Sequence, residues 1–186
     1  MKKFVCLFIM LLMTVAFVNA RVCDGNSCRV SMGGLRCINC SGYYVQLNLG
    51  MAAYPDIGFS GSVAFGNKFA SGMTFGVILS GEYTSAPKAT AGMVSTYDFC
   101  FLRKYTDKFY PVVGLEIGLG GQKSKTMNNW DGCVYFGYKA GFFIVFMPGL
   151  IDVGLQYCGN YNIVVDGTSS GNYLNHSAFL TTRFYF

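Results

Sequence analysis

From Tyr44 to the C-terminus, apolar side chains alternate with small or polar ones. This period of two marks strands with two unlike faces. In Tyr44 to Tyr54, Val45, Leu47, Leu49 and Met51 alternate with Gln46, Asn48, Gly50 and Ala52. A second segment sets Phe59, Val63 and Phe65 against Ser60, Ser62, Ala64 and Gly66. A third sets Phe75, Val77, Leu79 and Tyr83 against Thr74, Gly76, Ser80 and Glu82, with Ile78 breaking the rule. The fourth has Tyr97, Phe99 and Phe101 against Thr96, Asp98 and Cys100. In the fifth, Val113, Leu115, Ile117 and Leu119 alternate with Gly114, Glu116, Gly118 and Gly120. The sixth pairs Val134, Phe136, Tyr138, Ala140 and Phe142 with Tyr135, Gly137, Lys139 and Gly141. The seventh pairs Ile151, Val153, Leu155 and Tyr157 with Asp152, Gly154 and Gln156. The last, Asn175 to Phe186, has Ala178, Leu180, Phe184 and Phe186 against Ser177, Thr181, Arg183 and Tyr185.

Eight such segments predict an all-β fold, a closed antiparallel eight-stranded transmembrane β-barrel wound as an up-and-down meander. Closure matters because an open edge in lipid leaves backbone N–H and C=O groups unpaired. A water-soluble sandwich would carry many Lys and Glu on its polar face. Here that face is mostly Gly, Ser, Thr and Ala, which suits a narrow lumen already holding a few large polar side chains. Connections at 66–72, 103–109 and 146–149 read as short. Those at 84–92, 121–132 and 159–174 read as longer and polar, with 54–57 a short exception on their side. That asymmetry places both chain ends in the periplasm.

Composition agrees. Charged residues are 12% of the chain and hydrophobic ones 52%, against about 25% charged in ordinary soluble domains. Lys2 and Lys3 precede an uncharged apolar run, Phe4 to Val18, and Val18-Asn19-Ala20 resembles a cleavage site. Residues 1–20 therefore read as a secretory signal peptide, 21–41 as a Cys-rich periplasmic segment and 42–186 as the barrel domain. Without Lys2 and Lys3 the formal net charge falls from +5 to +3, too little to indicate nucleic-acid binding.

The strand count, alternation, connection asymmetry and final Arg183-Phe184-Tyr185-Phe186 together resemble the OmpX/OmpA-type eight-stranded outer-membrane β-barrel family over residues 42–186. The resemblance implies location in the bacterial outer membrane. It also implies that Phe184 and Phe186 serve as the signal read by barrel-assembly machinery. Phe179 and Thr181 depart from that signal, which often has a polar residue and a glycine there.

Parity points Glu82, Asp98, Glu116, Lys139, Asp152 and Arg183 into the lumen. Isolated charges there are costly, so pairing is expected. Lys139 and Arg183 are the cations, and Glu116, Asp152 and Glu82 their expected partners. A polar plug is favoured over an ion gate or proton path. Export permits disulfides. Cys133 and Cys158 lie equidistant from a turn expected near Val145-Phe146 and are the best pair. Cys23, Cys28, Cys37 and Cys40 form either local disulfides or a zinc site, and an oxidising compartment favours disulfides. Cys100 pairs with one of them or stays free. No cofactor or metal is expected. His176, the sole histidine, adjoins Ser177, so the two face opposite ways and cannot share the hydrogen bond of a nucleophile and its base. Trp130, Tyr161 and Tyr173 are expected on exposed loops as contact anchors. Tyr43, Tyr44, Tyr54, Tyr83, Tyr97, Tyr157, Phe184 and Phe186 are expected in interfacial aromatic girdles.

The functional expectation is a non-enzymatic monomer embedded in outer-membrane lipid, with a structural role or an extracellular ligand on its loops. A narrow pore is the alternative, and a lipid-modifying enzyme a more distant one.

Overall fold

A computed structural model describes residues 42–53, 56–69, 71–99, 109–123, 130–147, 149–166 and 172–186. The proposed signal peptide, the N-terminal cysteines and Cys100 lie outside these residues. Eight strands run in chain order: β1 (Gly42–Ala52), β2 (Gly58–Lys68), β3 (Met73–Tyr83), β4 (Lys88–Asp98), β5 (Phe109–Lys123), β6 (Trp130–Met147), β7 (Ile151–Asp166) and β8 (Tyr173–Tyr185). Each pairs antiparallel with its sequence neighbour, and β8 returns to β1, giving a closed barrel. Tyr43 and Phe186 exchange two backbone hydrogen bonds of 3.1 and 3.0 Å that finish the β1–β8 seam.

The stagger follows from the pairing. A walk perpendicular to the strands passes from Gly42 through Lys68, Thr74, Thr96, Gly114, Lys139, Cys158 and Ser177 and re-enters β1 at Ala52. It returns ten residues along β1 from its start (42 to 52). For eight strands this shear tilts them by about 40°. An 11-residue strand such as β1 then rises roughly 28 Å, enough for an apolar band of about 25 Å. At 18 residues β6 is well beyond the about 9–11 that a crossing needs.

The outward face is apolar and exposed, with Leu49 71%, Leu115 63% and Leu180 57% accessible. The inward face holds Gln46, Asn48, Asp98, Glu116, Lys139 and Arg183, all buried. The usual order of a water-soluble protein is inverted, because lipid rather than water is the solvent such a wall suits. Ile78, the break in the alternation, points inward and packs with Tyr44, Ala64, Val94 and Tyr185.

Two connections are tight. Gly72 and Gly149 have φ of 90° and 75°, the left-handed region that glycine enters freely. The Gly72 N–H donates to Phe69 O (3.0 Å) and the Leu150 N–H to Met147 O (3.0 Å). The second turn lies three residues beyond its expected centre, since Val145 pairs with Asp152 and Met147 with Ile151. Much of what reads as loop is also strand. β4 starts at Lys88, β7 continues to Asp166 and β8 begins at Tyr173. β4 ends at Asp98 and β5 begins at Phe109, and residues 100–108, which include the end of the fourth segment read from the sequence, lie outside the described residues. Polar composition marks contact with water, not the end of a hydrogen-bonded ladder, so it misplaced these boundaries.

Candidate functional site: the polar lumen

The inward side chains form three tiers. The end carrying Gly42 and Phe186 is here the terminal end, and the opposite end the distal one. At the terminal end, β2 and β4 deliver their last residues, Lys68 and Asp98, and β8 delivers Arg183. Arg183 Nη1 donates to Asp98 Oδ2 at 2.7 Å, and Lys68 Nζ lies 2.8 Å from the same oxygen. Arg183 Nε donates to Gln46 Oε1 at 2.9 Å. Its guanidinium lies 4.4 Å from the Phe143 ring centroid and 5.2 Å from that of Tyr44, distances at which aromatic faces attract a cation. Asp152 accepts hydrogen bonds from the Tyr110 hydroxyl and, at 2.8 Å, the Tyr185 hydroxyl. Arg183 is 0% exposed. A charge so enclosed is tolerable only when its donors are answered, and here carboxylate, amide and aromatic faces all answer it.

In the middle tier, Lys139 Nζ meets Glu116 Oε2 at 2.9 Å, both side chains buried. Gln46 donates to Asn48 and Gln156, each at 3.0 Å, and Asn48 donates to Ser62 at 2.7 Å. In the distal tier, Lys88 Nζ donates to Asn162 Oδ1 at 2.6 Å, and Asn175 Nδ2 to Glu82 Oε2 at 2.7 Å. Glu82 is only half-buried. The terminal tier balances Lys68 and Arg183 against Asp98 and Asp152, and the middle tier balances Lys139 against Glu116. Cross-lumen bonds of this kind tie non-adjacent strands together and occupy the bore.

Each sequence-derived candidate can be placed on this frame. Lys139 pairs with Glu116 as expected from their neighbouring strands. Asp152 and Glu82, also expected to answer the two cations, instead bond tyrosines and Asn175. Arg183 sits opposite Asp152 in the ladder, yet its guanidinium crosses to Asp98. Sequence reasoning overlooked two cations, Lys68 and Lys88, by assigning them to connections. Extending the inward parity of Ser60, Ser62, Ala64 and Gly66 by one step would have found Lys68. Tyr44, expected in a girdle, is buried in the lumen, whereas Tyr43 and Tyr83 are exposed.

The expected Cys133–Cys158 disulfide is corrected: both are free thiols. Because the turn is displaced, Cys158 pairs with Lys139 and Cys133 with Val164. The two sulfur-bearing positions are thus six residues apart along the ladder (133 to 139), roughly 20 Å, far beyond the about 7 Å that a bridge tolerates between Cα atoms. Trp130, Tyr161 and Tyr173 stand on β6, β7 and β8 rather than on loops. Trp130 and Tyr161 are exposed, while the Tyr173 hydroxyl donates to Gln122. Ser177 is buried and His176 is on the outer wall, so they face opposite ways. Phe184 and Phe186 are half-buried at the seam. Among the described residues no three metal-ligating side chains converge.

The architecture can be set beside known structures. No protein-family model matches the chain, and no curated protein matches it in sequence. Neisserial surface protein A is similar in structure, with a TM-score of 0.61 and 19% identity, covering 78% of this chain and 98% of that one. The N-terminal β-barrel domain of Pseudomonas aeruginosa OprF is similar with a TM-score of 0.54 and 13% identity, over 77% of this chain and 97% of that one. The chain has the fold of the OmpA/OmpX-type eight-stranded outer-membrane barrels. At these identities the likeness is one of fold. The outer membrane enzyme PagL aligns at a TM-score of 0.48 and 13% identity, over 77% of this chain and 99% of that one.

Proposed function

We propose that this OmpA/OmpX-type barrel spans the bacterial outer membrane as a monomer. Assembly machinery inserts it there, its lumen is a closed polar plug, and its role is structural in the envelope or adhesive at the surface. The observation that carries the plug is the terminal tier, where Arg183, Asp98 and Lys68 meet across the bore with no exposed guanidinium or carboxylate surface. Ion passage would require breaking buried charge pairs, each costing about 3–5 kcal/mol to disrupt. The adhesive reading is favoured by the distal wall. Trp130, Tyr161 and Val165 are exposed there on strands longer than a crossing needs, and exposed aromatics make strong contact anchors. No catalytic role is assigned.

Two measurements test this reading. Gel mobility in detergent before and after boiling should shift, as expected of a barrel without a free edge. Purified protein in planar bilayers should give no conductance steps. A protein absent from the membrane fraction would sink the barrel, and steady single-channel steps would replace the plug with a pore.

A further inference from the structure

The outer wall of β6, β7 and β8 departs from its surroundings. Three registered rows cross it: Tyr138, Gly159 and His176; then Ala140, Tyr157 and Ala178; then Phe142, Leu155 and Leu180. In the middle row Tyr157 stands between two alanines and leans toward the first row. Its ring stacks on His176 with centroids 5.7 Å apart and planes 25° apart. Its hydroxyl is hydrogen-bonded to His176 Nδ1. Tyr138 joins with its ring 6.1 Å from that of Tyr157. Gly159 permits this: a Cβ there would lie 2.5 Å from the Tyr138 ring. The displaced tyrosine leaves Ala140 and Ala178 bare. They form the floor of a groove of about 380 Å³ bounded by Phe142, Leu155, Tyr157 and Leu180, within the usual range of about 300–1,000 Å³ for ligand pockets.

Two features of this wall are independent and point the same way. The groove is apolar and runs along a membrane-facing surface. At its distal head stands a hydrogen-bonding cluster on a lipid-facing wall, where polar side chains are expensive. From this arrangement we infer that the β6–β8 wall is a site for one acyl chain of a membrane lipid, with a lipid oxygen received at His176. The inference rests on the membrane-spanning reading above. The chain lies over Ala140 and Ala178. In the tautomer whose Nδ1 accepts from the Tyr157 hydroxyl, Nε2 carries the ring N–H and donates it to the lipid's carbonyl, hydroxyl or phosphate oxygen. The cluster lies near the distal end, since His176 O accepts from Ala53 N at 2.8 Å just beyond β1. The lipid therefore belongs to the leaflet at that end.

The test is native mass spectrometry of the full chain released from phosphatidylethanolamine nanodiscs. One retained lipid is expected. Ala178→Phe fills the groove from outside without entering the lumen and should cut retention about tenfold. Ala140→Leu should act in the same direction, and His176→Ala should weaken retention several-fold. Wild-type protein that keeps no lipid, or Ala178→Phe protein that keeps it as well as wild type, would overturn the site. So would a second copy of the chain in place of lipid. The boiling shift separates the two readings. A wild type that shifts normally but retains no lipid loses only this site, whereas a wild type that never shifts loses both.

Discussion

At the terminal end of the lumen two cations and two carboxylates are enclosed by tyrosines and Phe143. At the distal end Lys88 and Glu82 are held by amides, and Glu82 keeps part of its surface open. The same residue types thus do different work. A fully enclosed charge must be answered by geometry, because water cannot answer it. A half-exposed one is answered partly by solvent, and its pairing is worth little. Closure of the bore therefore depends on the enclosed charges of the terminal and middle tiers, and at the distal end Glu82 is open to variation.

The largest expected effect comes from Arg183→Ala, which strands Asp98 with Lys68 alone. Because Lys68 remains, the loss should be about 3 kcal/mol, the lower end of the range for a broken buried pair. It would be read from the urea midpoint of the heat-sensitive gel shift. Conductance steps should appear in the same variant if the tier is the plug. Next is Lys139→Met, which leaves Glu116 buried and unpaired at a cost of about 3 kcal/mol. Adding Glu116→Leu should recover stability to within about 1 kcal/mol of wild type, measured in the same urea series. A double variant no better than the single would mean that the pair is not the relevant unit. Asp152→Asn keeps one oxygen able to accept from both tyrosine hydroxyls but removes the charge that strengthens those bonds, and should cost about 1–3 kcal/mol in the same denaturation assay. Glu82→Ala should change stability by less than about 1 kcal/mol. If it matched Arg183→Ala, the contrast between the two tiers would collapse. The smallest effect concerns the thiols: Cys133 and Cys158 should both take an alkylating label after unfolding without reductant, seen by peptide mass. A protected pair would restore the disulfide that the ladder register rejects.

Legibility differed between the wall and the bore. Alternation in β1, β5 and β8 reads directly as a two-faced wall, because a strand must turn successive side chains to opposite sides. Asp98, Glu116 and Arg183 follow from the same parity. Lys68, Lys88 and Asn162 escaped because they sit where glycines and polar residues resemble turns, although the ladder continues through them; Asn175 begins the last predicted strand, and its parity with Ser177 already pointed it inward. Tyr44 escaped because an aromatic at a strand end reads as a girdle, while parity alone puts it inside. The Cys133–Cys158 pairing failed on three residues of turn position. In a hairpin, a displaced turn changes every partner along both strands.

The sequence by itself determined that this chain forms two-faced strands, how many there are, and which side chains share a face, since these depend only on local periodicity. Tertiary structure decided the rest. Pairing set the shear, and the shear set which strands look at one another across the bore. That is why Arg183 meets Asp98 of β4 rather than Asp152 directly beside it in the ladder. Contacts across a tilted cylinder join residues far apart in the chain, and no spacing within one strand encodes them.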